Sequence, residues 1–152
     1  MRTAVILPLS LLMAACGGGK DAPDPQNYID YPPLWNDYVV GFGETINLAE
    51  GVAIEFVDVE EDSRCPDPAQ CPVVGNARVV VRAITPRGAV LVKLNTDPAL
   101  PSSALFDVYG VSLRTLSPNP PVDAQGRVQP IPDSAYEGTF FVIKAAPTPP
   151  ST

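Results

Sequence analysis

The strongest constraint on the fold is an alternation of side chains with a period of two over residues 77–95. This period places every second side chain on the same face of a β-strand and does not fit a helix. The apolar positions on one face are Ala77, Val79, Val81, Ala83, Val90, Val92 and Leu94. The intervening Pro86-Arg87-Gly88 has the composition of a tight turn. These residues therefore predict a β-hairpin.

The rest of the body shows similar patterns, and no segment has sustained helical periodicity. Strands are predicted over residues 38–41, 44–48, 52–60, 77–85, 89–95, 103–106, 109–116 and 136–145. About eight short strands separated by turns indicate an all-β, antiparallel β-sandwich, with a small β-barrel as the second choice. A change of apolar face at Phe56-Val57 predicts a β-bulge. The last strand is apolar on both faces, so we expect it inside a sheet.

Five aromatic or apolar residues follow one another closely up to the start of the first predicted strand: Tyr28, Tyr31, Leu34, Trp35 and Tyr38. Aromatic side chains at this density are usually buried. We therefore expect this segment to pack against the edge of the domain. The alternative is an exposed aromatic surface for a carbohydrate or peptide ligand.

The most unusual chemistry of the chain lies between two of these strands, over residues 61–72. Cys65 and Cys71 lie there, six positions apart, and such a pair in a small β domain predicts a disulfide if the chain is exported. The enclosed prolines add stiffness, so the loop is a candidate binding tip. The residues proposed for binding are Asp62, Arg64, Pro66, Asp67 and Gln70. Asp62 and Arg64 are close enough in sequence to form a local ion pair.

Several carboxylates around this loop raise the question of a metal or an active site. Asp58, Glu60, Glu61, Asp62 and Asp67 have no EF-hand spacing, and neighbouring strand residues point to opposite faces. We therefore expect no metal and no cofactor. A solvated acidic rim partly neutralised by Arg64 is the plainer interpretation, with calcium as the alternative.

The composition excludes several classes of function. The chain has no histidine, which removes Ser-His-Asp and Cys-His catalysis and histidine-ligated metals. Its formal net charge is −7, and it has no basic stripe. We therefore expect no binding to nucleic acid.

The N-terminus has the features of a secretory signal. Arg2 precedes a short apolar run, small residues follow at Ala14-Ala15, and the run is too short for a transmembrane helix. Residues Leu12-Met13-Ala14-Ala15-Cys16 resemble the lipobox of bacterial lipoproteins. The resemblance implies cleavage before Cys16, lipid attachment to Cys16, and a membrane location. Because Gly17 and not an aspartate follows, it further implies the outer membrane.

A second resemblance covers most of the body. The run Glu61-Asp62-Ser63-Arg64-Cys65-Pro66, then Cys71 and Gly75-Asn76-Ala77, resembles a signature of small bacterial lipoproteins and exported domains of unassigned function. Such proteins often carry tryptophan two residues after the second cysteine, where this chain has Val73. The resemblance implies a β domain and export, and it implies no activity.

Together these features predict a signal peptide over residues 1–15, a flexible tether over 16–33, a β-sandwich over 34–146 and a Pro-rich tail over 147–152. The expected function is a non-enzymatic binding or structural module, anchored in the bacterial cell envelope by lipid. We expect a monomer with a protein or glycan as ligand. One alternative is a hydrolase of envelope glycans that uses carboxylates such as Asp58 and Glu60. Another is a protease inhibitor that presents residues 66–70.

Overall fold

The computed structural model describes residues 31–66, 71–73 and 75–145. They form eight β-strands, with short 3₁₀ turns at Ala49–Gly51 and Asp133–Ala135. The strands are β1 (Asn36–Gly41), β2 (Thr45–Asn47), β3 (Ala53–Asp62), β4 (Ala77–Thr85), β5 (Gly88–Asn95), β6 (Ser103–Phe106), β7 (Tyr109–Ser117) and β8 (Glu137–Lys144). No helix in these residues is long and apolar enough to cross a membrane.

The strands form two antiparallel sheets of four. The first sheet has the order β1-β8-β7-β6, and the second has the order β2-β3-β4-β5. The sheets do not close into a barrel, so the predicted sandwich is confirmed. β4 and β5 form the predicted hairpin, in which Thr85 pairs with Gly88.

Two finer predictions about the strands are also confirmed. The register of β3 against β4 shifts between Phe56 and Asp58, at the expected bulge, and shifts again between Val59 and Glu61. β8 lies between β1 and β7, as its two apolar faces indicate. Phe140 on β8 is fully buried, whereas Phe141 lies under the Arg114 guanidinium at 4.5 Å on the outer face.

The core fills the space between the two sheets. Phe56 of the second sheet meets Phe140 of the first edge to face, with ring centroids 5.7 Å apart. Phe42 packs on Phe56 with the same separation. Aliphatic side chains of both inner faces surround this group, including Val40, Ile54, Val79, Val81, Leu94, Val111 and Val142. Alternation in the sequence therefore becomes burial on one face of each sheet.

The sandwich has two distinct ends. We call the first the terminal end; it contains Pro32, Glu50, Asp107 and Lys144, and the described chain both starts and finishes there. Glu50 joins parts of it, since it accepts bonds from Tyr109 Oη at 3.1 Å and Lys144 Nζ at 2.7 Å.

We call the opposite end the loop end. It contains Asp62, the disulfide loop, Asn95 and the long connection over residues 118–132. Asp62 is the last residue of β3 and pairs with Ala77, the first residue of β4. Asn95 ends β5 opposite Arg78.

The aromatic segment before β1 divides between the interior and the surface. Leu34 is buried and Tyr38 packs against the core, as expected. Trp35 and Tyr31 are exposed, with 63% and 44% of their surface accessible. Packing therefore describes part of this segment. The rest is exposed, and a carbohydrate or peptide ligand for it stays a prediction.

Several predictions concern residues outside the described part of the chain. They are the signal peptide over residues 1–15, the lipid site Cys16, most of the tether, Tyr28, Asp67, Gln70 and the Pro-rich tail. These stay predictions.

Candidate functional site

The disulfide loop begins where β3 leaves the second sheet at the loop end. Cys65 and Cys71 form the predicted disulfide, with their Cα atoms 5.8 Å apart. Only Ser63 and Arg64 separate Cys65 from the end of β3, so the bridge lies directly beside the sandwich.

Asp62 and Arg64 form the predicted pair, and it is bidentate. Arg64 Nε lies 2.9 Å from Asp62 Oδ1, and Arg64 Nη2 lies 2.7 Å from Asp62 Oδ2. The backbone N–H of Arg64 also donates to Asp62 Oδ1 at 3.1 Å. The two side chains are only 8% and 9% exposed. Such a fork places two parallel hydrogen bonds in one fixed geometry.

Arg64 also reaches across to the first sheet. Its Nη1 donates to the carbonyl oxygen of Leu116 and to Asn119 Oδ1, the latter at 3.3 Å. Its Nη2 donates to the carbonyl oxygen of Pro118 at 2.6 Å. A guanidinium has five N–H donors, and all five have acceptors here. Arg64 therefore joins the end of β3 to the end of β7.

Tyr136 completes this cluster from the start of β8. Its hydroxyl donates to Asp62 Oδ2 at 3.0 Å. Burial, together with this bond to the carboxylate, raises the pKa of Tyr136 to about 12. Burial alone would raise the pKa of Asp62, but hydrogen bonds from Arg64 and Tyr136 outweigh it and lower that pKa below its ordinary value. We call Asp62, Arg64 and Tyr136 the arginine clamp.

The return of the chain to β4 depends on a second polar network. Ser63 and Asn76 exchange bonds through backbone and hydroxyl groups at 2.7–3.1 Å. The Asn76 amide continues to Asn95 Oδ1 at 2.9 Å. Gly75 has φ +72°, and a Cβ there would lie 1.9 Å from the Ser63 carbonyl oxygen. Only glycine fits this close approach.

The polar residues Asp62, Ser63, Arg64 and Asn76 thus hold the fold together in this structure. We expected a solvated acidic rim with Arg64 as its counter-charge. Arg64 is the counter-charge of Asp62, but the two side chains are only 8% and 9% exposed, so this pair is not part of a solvated rim. Burial also leaves little of either side chain for a partner, although both were binding candidates. Pro66 is half-buried. Asp67 and Gln70 lie outside the described residues, as does most of the proposed bait segment.

The neighbouring acidic residues have separate partners on the outer face of the second sheet. Glu60 pairs with Lys93 at 2.6 Å and Arg78 at 3.8 Å, and Glu61 pairs with Arg78 at 3.3 Å. Within residues 31–66, 71–73 and 75–145, no group of three or more Cys, Asp or Glu side chains could hold a metal ion. Asp58 and Glu60, the hydrolase candidates, line none of three grooves found on the described part of the chain.

A groove that the sequence did not predict lies beside the arginine clamp. It has a volume of about 230 Å³, and its walls are Asp62, Pro120, Val128, Gln129, Pro130, Ile131 and Tyr136. Most of these residues belong to the Pro-rich connection between β7 and β8. The proline cluster was a signal for a loop there, but nothing in its local spacing indicates that it folds back over Tyr136.

The connection is held in shape by Asp123. Its carboxylate accepts the backbone N–H of Arg127 at 2.9 Å and of Gln125 at 2.9 Å. The backbone bond from Arg127 is the main reason that the pKa of Asp123 is lowered. Val122 and Val128 pair as an isolated bridge across this turn. The outer wall of the groove is therefore an ordered turn with Val128 at its surface.

Replacing Arg64 should destabilise the protein strongly. Arg64→Ala leaves the buried Asp62 charge without its partner, which typically costs roughly 3–5 kcal/mol. The matched control is Arg127→Ala, because Arg127 also pairs with an aspartate but is 74% exposed. That change should have little effect. Urea unfolding of both variants measures the difference, and equal stability would contradict a structural clamp.

The clamp should also make stability depend on alkaline pH. A folded-state pKa of about 12 for Tyr136, above the ordinary value near 10, stabilises the fold below pH ~10 and is lost as the pH rises through ~12. Between pH ~8 and ~11, wild type should lose more unfolding free energy than Tyr136→Phe, by at most about 1 kcal/mol after solvent screening. Tyr31→Phe, at an exposed site, is the control. Parallel profiles for wild type and Tyr136→Phe would contradict the assignment.

Comparison with protein-family models, with curated proteins and with solved structures found no match for this chain. The function must therefore be inferred from the sequence features and from the geometry of the two ends.

Proposed function

We propose that the chain is a lipoprotein of the bacterial cell envelope, most simply of its outer membrane, that carries a non-enzymatic β-sandwich module. The lipobox at Leu12–Cys16 and the preceding apolar run support the lipid anchor. Two or more acyl chains, as such an anchor carries, are what stable membrane attachment requires.

The observation that carries the proposal is that the two ends of the sandwich differ. The described chain enters at the terminal end, and the disulfide, the arginine clamp and the groove all lie at the loop end. β3 alone has 10 residues, which at ~3.3 Å per residue is about 33 Å. An anchor on Cys16 would therefore hold the terminal end towards the membrane and present the loop end away from it.

The chemistry of the groove favours binding over catalysis. Its one carboxylate is Asp62, which is committed to Arg64 and Tyr136 and has a lowered pKa. A general acid of glycoside hydrolysis needs a carboxyl with a raised pKa. We therefore place no catalytic step at this site.

The groove suits a protein partner better than a glycan. Pro120, Pro130 and Ile131 make its walls largely aliphatic, and Val128 is 59% exposed. Tyr136, its one aromatic residue, is buried and offers little ring surface for stacking on a sugar. Stiff walls also reduce the entropy that is lost on binding.

The anchor has a direct test. Cys16→Ser should move the protein from the membrane fraction to the soluble fraction, because the acceptor of the lipid is lost. The measurement is cell fractionation with immunoblotting. A double variant, Cys65→Ser with Cys71→Ser, should stay with the membrane. Membrane association of the Cys16→Ser protein would contradict lipid anchoring.

The groove is tested by a pair of substitutions with matched exposure. Val128 lines the groove and Leu91 lies on β5, yet each is 59% exposed. Val128→Lys should remove a partner from pull-downs of envelope extract, whereas Leu91→Lys should retain it. Quantitative mass spectrometry compares each with wild type, and circular dichroism checks folding. Loss of the same partner with both variants, or with neither, would refute the groove as the binding site.

A further inference from the structure

The terminal end exposes aromatic surface where the chain enters the domain. Trp35 is 63% exposed and Tyr31 is 44% exposed. Val108, in the turn between β6 and β7 at the same end, is 42% exposed. The loop end also exposes aliphatic side chains, but Tyr31 and Trp35 are the only aromatic residues among the large, exposed hydrophobic side chains of the described residues. Exposed apolar surface of this kind indicates a contact surface.

The backbone holds Trp35 in this exposed position. Its φ is +74°, in the left-handed region that bulky residues rarely adopt. Its N–H donates to the carbonyl oxygen of Val142 at 2.7 Å, which ties the residue to the end of β8. Leu34 beside it is buried. The turn thus places one apolar neighbour in the core and the other outside, on a strained backbone.

Charge is distributed unequally between the two ends. At the terminal end the ions are paired, with Lys144 on Glu50 at 2.7 Å and Arg87 on Asp107 at 2.6 Å. Of the carboxylates in the described part of the chain, five take part in no ion pair: Glu44, Asp58, Asp97, Asp133 and Glu137. All but Asp58 lie at the loop end.

We propose that the terminal end rests on the phospholipid headgroups of the leaflet that holds the lipid on Cys16, with Trp35 and Tyr31 in the interfacial layer. This rests on the proposed lipid anchor. Tryptophan and tyrosine are the residues that prefer this layer, since they have an apolar body and a polar edge.

The remaining observations fit the same orientation. The unpaired carboxylates face away from the anionic lipid, so like-charge repulsion is least in this orientation. Fifteen positions separate Cys16 from Tyr31. A flexible chain of that length spans about 20 Å. The anchor therefore keeps the terminal end near the surface at a high effective concentration.

The chain contains one tryptophan, so Trp35 itself reports its surroundings. The lipidated protein is reconstituted into vesicles of phosphatidylethanolamine and phosphatidylglycerol, and its fluorescence is compared with that of soluble Cys16→Ser. The expected result is a blue-shifted emission, quenched by lipids brominated on their acyl chains and protected from acrylamide. Emission that matches Cys16→Ser while the protein is bound to vesicles would overturn the inference.

A displaced reporter provides the matched control. Trp35→Phe combined with Leu100→Trp moves the single tryptophan to the loop end, where Leu100 is 42% exposed. Its emission should stay that of a residue in water, and quenching equal to that of Trp35 would also overturn the inference. Mass spectrometry and flotation separate the two proposals. A protein without lipid that does not float removes the anchor, whereas a lipidated, floating protein with Trp35 in water removes the orientation alone.

Discussion

The two sheets are joined at the loop end by one buried guanidinium. Arg64 is bonded to Asp62 at the end of β3, and it donates to the carbonyl oxygens of Leu116, near the end of β7, and of Pro118, just after β7. Transfer of a charged pair from water is unfavourable unless each donor and acceptor is satisfied. Here all five donors are satisfied, and among the described residues no buried side-chain nitrogen or oxygen lacks a partner. The position of one sheet relative to the other at this end therefore depends on a specific set of hydrogen bonds and not on packing alone.

The strands were largely predictable because their determinants are local. A period of two fixes which residues share a face, and the two-residue break at Pro86-Arg87 fixes the hairpin register. The bulge at Phe56 was visible as a change of apolar face. The disulfide followed from the small number of cysteines.

The arginine clamp was predictable only in part. Asp62 and Arg64 are two residues apart, so their pairing was expected. The acceptors of the remaining Arg64 donors lie 52–55 residues away along the chain. Local sequence spacing does not indicate contacts between residues so far apart, and charged residues in a polar loop are normally exposed.

The groove could not be predicted for the same reason, since it forms only when residues 118–132 fold back over Tyr136. Aromatic density before β1 likewise could not show that Leu34 turns inward and Trp35 outward.

Rigidity at the loop end and exposure at the terminal end have a common cause in the antiparallel topology. Asp62 ends β3, Ser117 ends β7 and Glu137 begins β8, so the connections that carry the disulfide, the clamp and the groove all emerge on one side. β1 begins and β8 finishes on the other side. At the loop end, Asp62 and Arg64 form hydrogen bonds that hold the backbone in place. The accessible surface there is therefore mainly the aliphatic wall of the groove. At the terminal end Leu34 is buried, whereas Trp35 is exposed and its N–H is bonded to the Val142 carbonyl oxygen. Within the described residues, one end of the sandwich thus carries carboxylates without an ion pair, and the other carries paired ions and exposed aromatic side chains. This asymmetry supports the orientation that we propose for a lipid-anchored module.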